Sequence, residues 1–339
     1  MLRVACASLY IPWTCCYGPV STRNLLQPSF ASIKSISAID LSPGEALFVV
    51  GGDMPSSSQP QLGVGYMNPL GEQRTKLEGH KATVTSLQFF PSGQGITSTA
   101  IVARGRNVLC EAREIATLVR YPCAINHIAL VQDRLSTDTG TAEPPARLDP
   151  REVDTHDKIV VCAIDNGLLC GIQLGTRAKL FELAMPDHPH TPMTAVAMLD
   201  HWLMGGDSEG SLALFHVPTQ QCKLVFRRNQ TTISHIAVQK RMQEGRDALD
   251  AYRWWITTTD GQCYCVQLTM TTSSEKDGDD DDDAVSVNVV HELVGSELEG
   301  IVHLQLPIMP SSDDHAAKHQ KIATVTADGI LREYQVPLV

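Results

Sequence analysis

One pattern of ten residues occurs four times in the second half of this chain of 339 residues. The copies are DNGLLCGIQL, SEGSLALFHV, TDGQCYCVQL and ADGILREYQV, at residues 165–174, 208–217, 259–268 and 327–336. Each copy begins with a polar turn that contains a glycine and continues with a run in which positions alternate. Such a turn followed by such a run predicts a β-hairpin and its returning strand. Four copies of one strand unit indicate a repeat protein.

Further strands recur around each copy. INHIALV, MTAVAML, ISHIAVQ and IVHLQLP lie upstream, and KIVVCAI, HWLMGG, RWWITTT and KIATVTA directly precede the turns. A fourth strand follows three of the copies, as KLFELAM, CKLVFR and VSVNVVHEL. Four strands per repeat are typical of the blade of a β-propeller. Because a single blade has two apolar faces, it must pack against a neighbour on each side, and the predicted fold class is an all-β propeller.

The segment LEGHKATVTSLQFFPSG at residues 77–93 resembles the GH…V..L.F.P.G signature of WD-repeat propellers. The matching residues are Gly79, His80, Val84, Leu87, Phe89, Pro91 and Gly93. In that family the histidine joins a hydrogen-bond network with an aspartate of the tight turn, and the resemblance implies this role for His80. No repeat ends in Trp-Asp, so the other repeats are degenerate copies of the motif.

A more specific resemblance lies in FFPSG at residues 89–93, TAIVARGRNV at 99–108 and DGILREYQ at 328–335. These runs resemble the family of the proteasomal ATPase-associated factor, a WD-repeat assembly chaperone of the proteasome regulatory particle. The resemblance covers about residues 33–110 and the C-terminal repeat. It implies a seven-bladed ring without catalytic activity or cofactor, and a partner that is the C-terminal domain of a proteasomal ATPase subunit. The alternative is another WD-repeat adaptor, such as a ubiquitin-ligase substrate receptor or a ribosome-assembly factor, against which AIVARGRNV argues.

The repeats divide the chain into an N-terminal segment, residues 1–32, and a WD-repeat β-propeller, residues 33–339. About six repeat units can be counted, and one blade is expected to be truncated near residues 94–122, because FFPSG and AIVARGRNV are too close for separate blades. The last repeat ends after its third strand, so we expect part of residues 1–32 to supply the strand that closes the ring. The insert at residues 271–284 contains five consecutive aspartates, whose repulsion predicts disorder.

Composition limits the class of partner. The net charge of −11 argues against nucleic acid and favours basic partners. The sequence has no continuous apolar run of about 18 residues, which predicts no membrane span, and its start lacks a clear signal-peptide pattern. Several of its 10 cysteines, namely Cys162, Cys170, Cys263 and Cys265, lie in predicted strands, which indicates a reducing compartment. We expect a monomer in the cytoplasm or the nucleus.

The candidate catalytic and metal sites have simpler interpretations. His127, His235 and His303 occupy equivalent positions of three inner strands, and packing is favoured over a metal ring. Cys263 and Cys265 share one face of a strand, which favours core packing over a metal site or a disulfide. Because P-loop and H-E-x-x-H motifs are missing from the sequence, we expect no enzymatic activity. A propeller hydrolase is the alternative, and it would need a polar cluster in the central channel.

The working hypothesis for function is an adaptor with an acidic face. In propellers, the loops that lead from one blade to the next lie at the same end as the tight turns. Acidic residues there are expected to dock a basic surface, and long-range attraction accelerates such an encounter. The candidate partner-binding residues are Glu78, Asp187, Asp207, Glu209, Asp260, Glu297, Glu299 and Asp328. For turn residues, Asp260 and Asp328 above all, a purely structural role is the competing interpretation.

Overall fold

The computed structural model describes residues 16–25, 35–44, 46–53, 61–67, 70–77, 83–93, 95–100, 108–110, 113–116, 121–135, 157–240, 249–271, 284–296, 299–306 and 319–337. These residues form β-strands and two short 3₁₀ helices, Val217–Thr219 and Leu249–Ala251. None of the helices in these ranges is long and apolar enough to cross a membrane.

The strands form six sheets, which we number along the chain, and two N-terminal strands precede them. The N-terminal strands are β1 (Cys16–Tyr17) and β2 (Ser21–Asn24). Sheet 1 contains β3 (Ser35–Leu41), β4 (Leu47–Asp53), β5 (Gln61–Met67) and β6 (Leu70–Leu77). Sheet 2 contains β7 (Val84–Phe89), β8 (Gly95–Ala100), β9 (Val108–Cys110) and β10 (Arg113–Ala116). Sheet 3 contains β11 (Ile125–Gln132), β12 (Lys158–Ile164), β13 (Leu168–Gln173) and β14 (Lys179–Ala184).

The remaining sheets follow the same order of strands. Sheet 4 contains β15 (Met193–Leu199), β16 (Trp202–Asp207), β17 (Ser211–His216) and β18 (Gln221–Arg227). Sheet 5 contains β19 (Ile233–Lys240), β20 (Tyr252–Thr258), β21 (Cys263–Thr271) and β22 (Ala284–Leu293). Sheet 6 contains β23 (Ile301–Gln305), β24 (His319–Thr326) and β25 (Ile330–Pro337). Within each sheet, consecutive strands pair in sequence order and antiparallel, so each sheet is a meander.

The first strands of the six sheets form a closed ring. Each of β3, β7, β11, β15 and β19 contacts the next first strand, and β23 contacts β3 again. The sheets therefore stand radially around a central channel, and the architecture is a β-propeller. We call these six strands the inner strands.

The expected truncation near residues 94–122 takes a different form in the structure. That region contributes β8, β9 and β10 to sheet 2, with β9 reduced to three residues and β10 to four. The blade is therefore present, with short outer strands that lack the usual turn signal in the sequence. The described residues form six sheets, whereas the resemblance implied seven blades.

Both N-terminal strands extend sheets near the end of the chain. β2 pairs antiparallel with β25 and takes the outer position of sheet 6. This is the position that we expected part of residues 1–32 to fill. β1 pairs in parallel with β22 and adds a fifth strand to sheet 5, which the sequence did not predict. Since β1 and β2 are separated by three residues, this short segment connects the outer edges of two adjacent sheets.

The hydrophobic core is divided among the interfaces between sheets. Leu203 and Phe215 of sheet 4 pack with Ile159 and Phe181 of sheet 3. Hydrophobic clusters also lie at each of the other five contacts between neighbouring sheets. Burial of this apolar surface, at roughly 25 cal/mol per Å², is the main term that holds one sheet against the next. Sheets 1, 3, 4, 5 and 6 thus each have both apolar faces covered, as expected of a blade.

Each inner strand carries a β-bulge at the same point of the repeat. The residues at the bulge position are Ser37, Thr85, Asn126, Thr194, Ser234 and Val302. The first four donate side-chain hydrogen bonds to a carbonyl oxygen of the next inner strand, at Val84 (2.7 Å), Ile125 (2.7 Å), Met193 (2.9 Å) and Ile233 (2.7 Å). We call these hydrogen bonds latches. Each inner strand is the edge strand of its sheet, so carbonyl groups on that edge have no neighbouring strand to pair with. The latches supply hydrogen-bond donors to these carbonyl groups.

The latch series changes at the last two inner strands. The hydroxyl of Ser234 lies 2.9 Å from the hydroxyl of Thr257 within its own sheet. Val302 has no polar side-chain atom and cannot donate. The contact of sheet 6 with sheet 1 is instead supported by a backbone hydrogen bond of 2.8 Å from Ile36 N to Ala327 O.

Candidate functional site

The tight turns and the connections between sheets lie at one end of the ring. Gly210 has a φ of +87°, and a Cβ atom at this position would lie 2.3 Å from the carbonyl oxygen of Asn229 in the connection to sheet 5. Gly261 has a φ of +86°, and its Cβ would lie 1.8 Å from Ser296 O in the connection to sheet 6. Both positions require glycine, because φ is positive and because a Cβ atom would collide with the backbone of the connection. The prediction that turns and connections share one end is confirmed, and we call this end the turn face.

Three of the predicted docking carboxylates are exposed on the turn face. Asp187 lies in the connection from sheet 3 to sheet 4, Glu299 in the connection from sheet 5 to sheet 6, and Glu209 in the tight turn of sheet 4. The Glu209 side chain is 56% exposed and lies 3.6 Å from Arg227. Glu78 and Glu297, the other two predicted residues of the connections, lie outside the described residues, as does His80 of the WD-like motif.

Asp260 and Asp328 are exposed but also hold their own turns together. Asp260 accepts hydrogen bonds from the hydroxyl of Thr258, from Thr231 Oγ1 at 3.1 Å and from Gln262 Nε2 at 3.0 Å. Asp328 accepts from the hydroxyl of Thr326 and, at 3.3 Å, from Ile330 N. Each carboxylate therefore has a structural role and is also accessible to a partner.

Asp207 differs from the other predicted docking residues because it is fully buried. Its Oδ1 accepts hydrogen bonds from Glu209 N at 2.9 Å and Ser211 N at 2.8 Å, so it closes the turn of sheet 4 from inside. A sequence signal could have shown this. Asp207 stands three positions before the turn glycine, where sheets 5 and 6 have Thr258 and Thr326, and Thr258 Oγ1 accepts an equivalent hydrogen bond from Gln262 N. Asp207 therefore stabilises the turn and does not present its carboxylate at the surface.

The arginines near the turn face are engaged by the protein itself. Arg227 donates to Ser211 Oγ at 2.7 Å. Arg228 pairs with Glu292 at 3.0 Å and lies over the ring of Tyr264, 4.5 Å from its centroid. The exposed carboxylates of Asp187, Glu209, Asp260, Glu299 and Asp328 are distributed over the turns and connections of sheets 3 to 6. The described part of the turn face is therefore acidic and suits a basic partner surface.

A cavity of about 370 Å³ runs through the centre of the ring. One layer of its wall holds the residues that directly follow the bulges, among them His127, His235 and His303. The three imidazoles form a row, since the centroid of His235 lies 5.0 Å from that of His127 and 5.0 Å from that of His303. The equivalence of the three positions, predicted from the repeat, is confirmed by the matching bulges. A second layer, two residues further along each inner strand, contains Asp40, Gln88 and Gln305.

Polar side chains of the channel accept hydrogen bonds from neighbouring inner strands. Asp40 Oδ2 accepts from Phe89 N at 2.6 Å, Ser86 Oγ accepts from Ile128 N at 3.2 Å, and His127 Nδ1 accepts from Val196 N at 3.4 Å. Among residues of the inner strands, the sequence analysis singled out only the three histidines, and the other polar groups of the channel, such as Asp40 and Ser86, were missed. Inner strands present unpaired N–H groups to the channel, so a polar residue at these positions satisfies a backbone donor.

Burial controls the protonation of the channel groups. Burial, followed by the nearby His303, lowers the pKa of His127 to about 4, and burial lowers that of His303 to about 4. Burial, together with His127 and His303, holds the pKa of His235 well below its usual value. Burial raises the pKa of Asp40 to about 7 despite its hydrogen bond from Phe89. The three imidazoles are therefore neutral at pH 7.

The structure places the three candidate histidines in the channel wall and the candidate cysteines in the core. Among the described residues, no group of three or more His, Cys, Asp or Glu side chains is arranged to hold a metal ion. Cys263 and Cys265 belong to the same hydrophobic cluster between sheets 5 and 6, which confirms that they share a face. Burial raises the pKa of both thiols, so they are unreactive at neutral pH.

Comparisons with known proteins give the fold. No protein-family model matches the sequence, and no curated protein matches it. Among solved structures, the β-propeller domain of Cps50 (Swd1) from Myceliophteria thermophila is similar, with 12% identity, a TM-score of 0.53, and coverage of 93% of this chain and 100% of that one. A chain of the mitotic checkpoint complex is also similar, with 11% identity, a TM-score of 0.54, and coverage of 89% and 74%. At such low identities the likeness is one of fold alone, a β-propeller.

Proposed function

We propose that this protein is a non-catalytic interaction scaffold and an assembly chaperone of the proteasome regulatory particle base. In this proposal, the turn face binds the C-terminal domain of a proteasomal ATPase subunit. The observation that carries the proposal is the set of exposed carboxylates on one end of a closed ring, with neighbouring arginines already engaged. The FFPSG, AIVARGRNV and DGILREYQ runs support the choice of partner.

A scaffold role agrees with how the polar groups are used. The carboxylates of Asp207, Asp260 and Asp328 accept hydrogen bonds within turns, and Ser86 and His127 of the channel accept them from the backbone. A hydrolase needs a nucleophile or base whose hydrogen bonds point to a substrate position. We also propose that the protein acts as a monomer in the cytoplasm or nucleus, and that six sheets are its full set of blades.

A pull-down of the 339-residue chain from cell extract, read by mass spectrometry, tests the choice of partner. The proposal expects ATPase subunits of the regulatory particle without the proteolytic core. Recovery of a ubiquitin-ligase complex or of ribosome-assembly factors would support the alternative adaptors instead.

Charge reversal tests the turn face. Asp187→Lys with Glu299→Lys should slow association with the ATPase domain about tenfold at low salt, and the difference should shrink as salt screens the charges. The matched control is Glu182→Lys with Asp250→Lys, which makes the same change in net charge. Glu182 is exposed on an outer strand, and Asp250 is exposed in the connection between β19 and β20 at the opposite end. Equal effects of the two pairs would reject the turn face as the docking surface.

A further inference from the structure

Asp40 is a buried carboxylate in the wall of the central channel. It is 8% exposed, and its Oδ2 accepts the hydrogen bond from Phe89 N. Its Oδ1 lies 3.5 Å from His303 Nε2. In the described part of the chain, no lysine or arginine lines this cavity. A buried carboxylate is normally compensated by a cation, because removal of the charge from water costs several kcal/mol.

The histidines do not provide that compensation at neutral pH. Burial keeps His127, His235 and His303 uncharged, so none of them supplies a positive charge. The acceptor nitrogen of His127 is already used, since Nδ1 accepts from Val196 N. His235 Nδ1 is buried and has no hydrogen-bond partner within the described residues. Gln305 adds an amide oxygen to the same wall. The channel thus combines one carboxylate with one unpartnered imidazole nitrogen and further neutral polar groups.

We propose that the central channel binds an organic cation, a guanidinium or alkylammonium group, with the carboxylate of Asp40 as its counter-ion. His235 Nδ1, which has no hydrogen-bond partner among the described residues, accepts one of the remaining N–H donors. The cavity of about 370 Å³ is near the lower limit for ligand pockets, so it accommodates one side chain or a small amine. This site is separate from the exposed carboxylates of the turn face, and it does not depend on the identity of a docked protein.

The charge of Asp40 gives the site a pH dependence that a purely structural carboxylate would not show. Because burial raises the pKa of Asp40 to about 7, a fraction of the free protein carries a neutral carboxyl group at pH 7. A bound cation favours the ionised form. Affinity should therefore rise between pH 6 and pH 8, and binding should release protons below pH 7.

The test is an NMR titration of the full chain, followed at the ring carbons of the three channel histidines. The probes are N-acetylarginine amide and its neutral counterpart N-acetylcitrulline amide, which has nearly the same shape. Saturable shifts are expected with the arginine probe, and binding should be about tenfold or more weaker with citrulline. Equal shifts with both probes, or no saturable shift with either, would overturn the proposal.

The Asp40→Asn variant removes the charge and keeps an oxygen to accept from Phe89 N. It should bind the arginine probe about tenfold or more weakly, whereas Asp250→Asn, at an exposed site away from the channel and the turn face, should bind normally. Unchanged affinity in folded Asp40→Asn protein contradicts the assigned role. If this variant does not fold, the comparison of arginine with citrulline decides the matter in the unmodified protein. Tighter binding of a Gly-Gly-Arg-Gly-Gly peptide than of agmatine would identify the source as a side chain of a partner, and the reverse order would identify a free amine.

Discussion

The hydroxyl of Thr194 donates a hydrogen bond of 2.7 Å to the carbonyl oxygen of Ile233, and this contact joins the inner strand of sheet 4 to that of sheet 5. The same relationship joins Ser37 to Val84 and Thr85 to Ile125. The bulge in each inner strand places the side chain there. The latches show how a propeller with weak sequence repeats connects successive blades by more than apolar packing.

Loss of one latch should destabilise the ring measurably. Thr194→Val keeps the shape of the side chain and removes the donor, so we expect a decrease of about 1 kcal/mol in the free energy of unfolding. Urea denaturation followed by tryptophan fluorescence measures it. Thr22→Val, at an exposed site outside the inner strands, is the control and should have little effect. An unchanged stability of Thr194→Val would mean that packing alone holds these sheets together.

Addition of a latch should have the opposite effect. Val302→Thr places a hydroxyl at the bulge position of β23, from which it can reach the first sheet as Thr194 reaches Ile233. We expect a gain of about 0.5–1 kcal/mol in the free energy of unfolding. Val20→Thr serves as the control because Val20 is 61% exposed. A destabilised Val302→Thr protein would show that the contact between sheets 6 and 1 has a different geometry from the other contacts.

The buried turn carboxylate should matter more for stability than the exposed ones. Asp207→Ala leaves Glu209 N and Ser211 N without their acceptor, and we expect a cost of about 2 kcal/mol. Asp187→Ala, at an exposed site, should change stability by less than about 0.5 kcal/mol. Thermal unfolding of the two variants gives the comparison. Similar values for both would contradict the structural role of Asp207.

The channel histidines should make the ring unstable in acid. Their pKa values are lowered in the folded state, so their contribution is fully present above the unfolded value of 6.5 and is lost as pH falls from 6.5 through about 4. Asp40 acts in the opposite direction, since its raised pKa favours the folded state below about pH 7. At pH 5 the unfolded chain should bind about two more protons than the ring at these four groups, from three histidines against one aspartate.

Urea denaturation at pH 7 and pH 5 measures the slope of the free energy of unfolding against pH. His235→Gln should reduce the loss of stability between the two pH values, whereas Asp40→Asn should increase it. His188→Gln, in an exposed connection, is the control. A slope that does not respond to His235→Gln would exclude the channel as its source.

The N-terminal segment should contribute to the contact between sheets 6 and 1. Leu25 is fully buried and packs with Ile36, Phe48 and Leu331. Leu25→Ala should lower the free energy of unfolding by about 3 kcal/mol because it removes buried methyl groups and leaves a cavity. Val20→Ala, on the same segment but exposed, is the matched control. Comparable stability of the two variants would show that this segment does not hold the ring closed.

The sequence predicted the elements that repeat and missed those that do not. The glycines at positions 167, 210, 261 and 329 mark a conformation with positive φ, and this physical requirement makes them visible without a structure. β9 and β10 were missed because no turn signal separates such short strands. β1 was missed because its pairing with β22 depends on contacts distant in sequence, and two residues carry too little pattern.

The acidic turns of the candidate site were predicted because they belong to the repeat, but the exposure of each carboxylate was not. A tight turn favours acidic residues whatever their exposure, so Asp207 and Asp260 look alike in the sequence, although one is buried and the other exposed. Asp40 was not among the predicted site residues. Among the described residues no lysine or arginine lines its cavity, and this follows from the closure of the ring around it, which no local pattern encodes.

The pairing of β2 with β25 imposes an order on synthesis. Residues 21–24 leave the ribosome early, and their partner at residues 330–337 leaves it more than three hundred residues later. Throughout that interval the early strand has no place in a sheet, and the apolar surface of sheet 1 that will meet sheet 6 faces water. This apolar surface therefore stays exposed during synthesis until residues 330–337 have been made and can pair with β2.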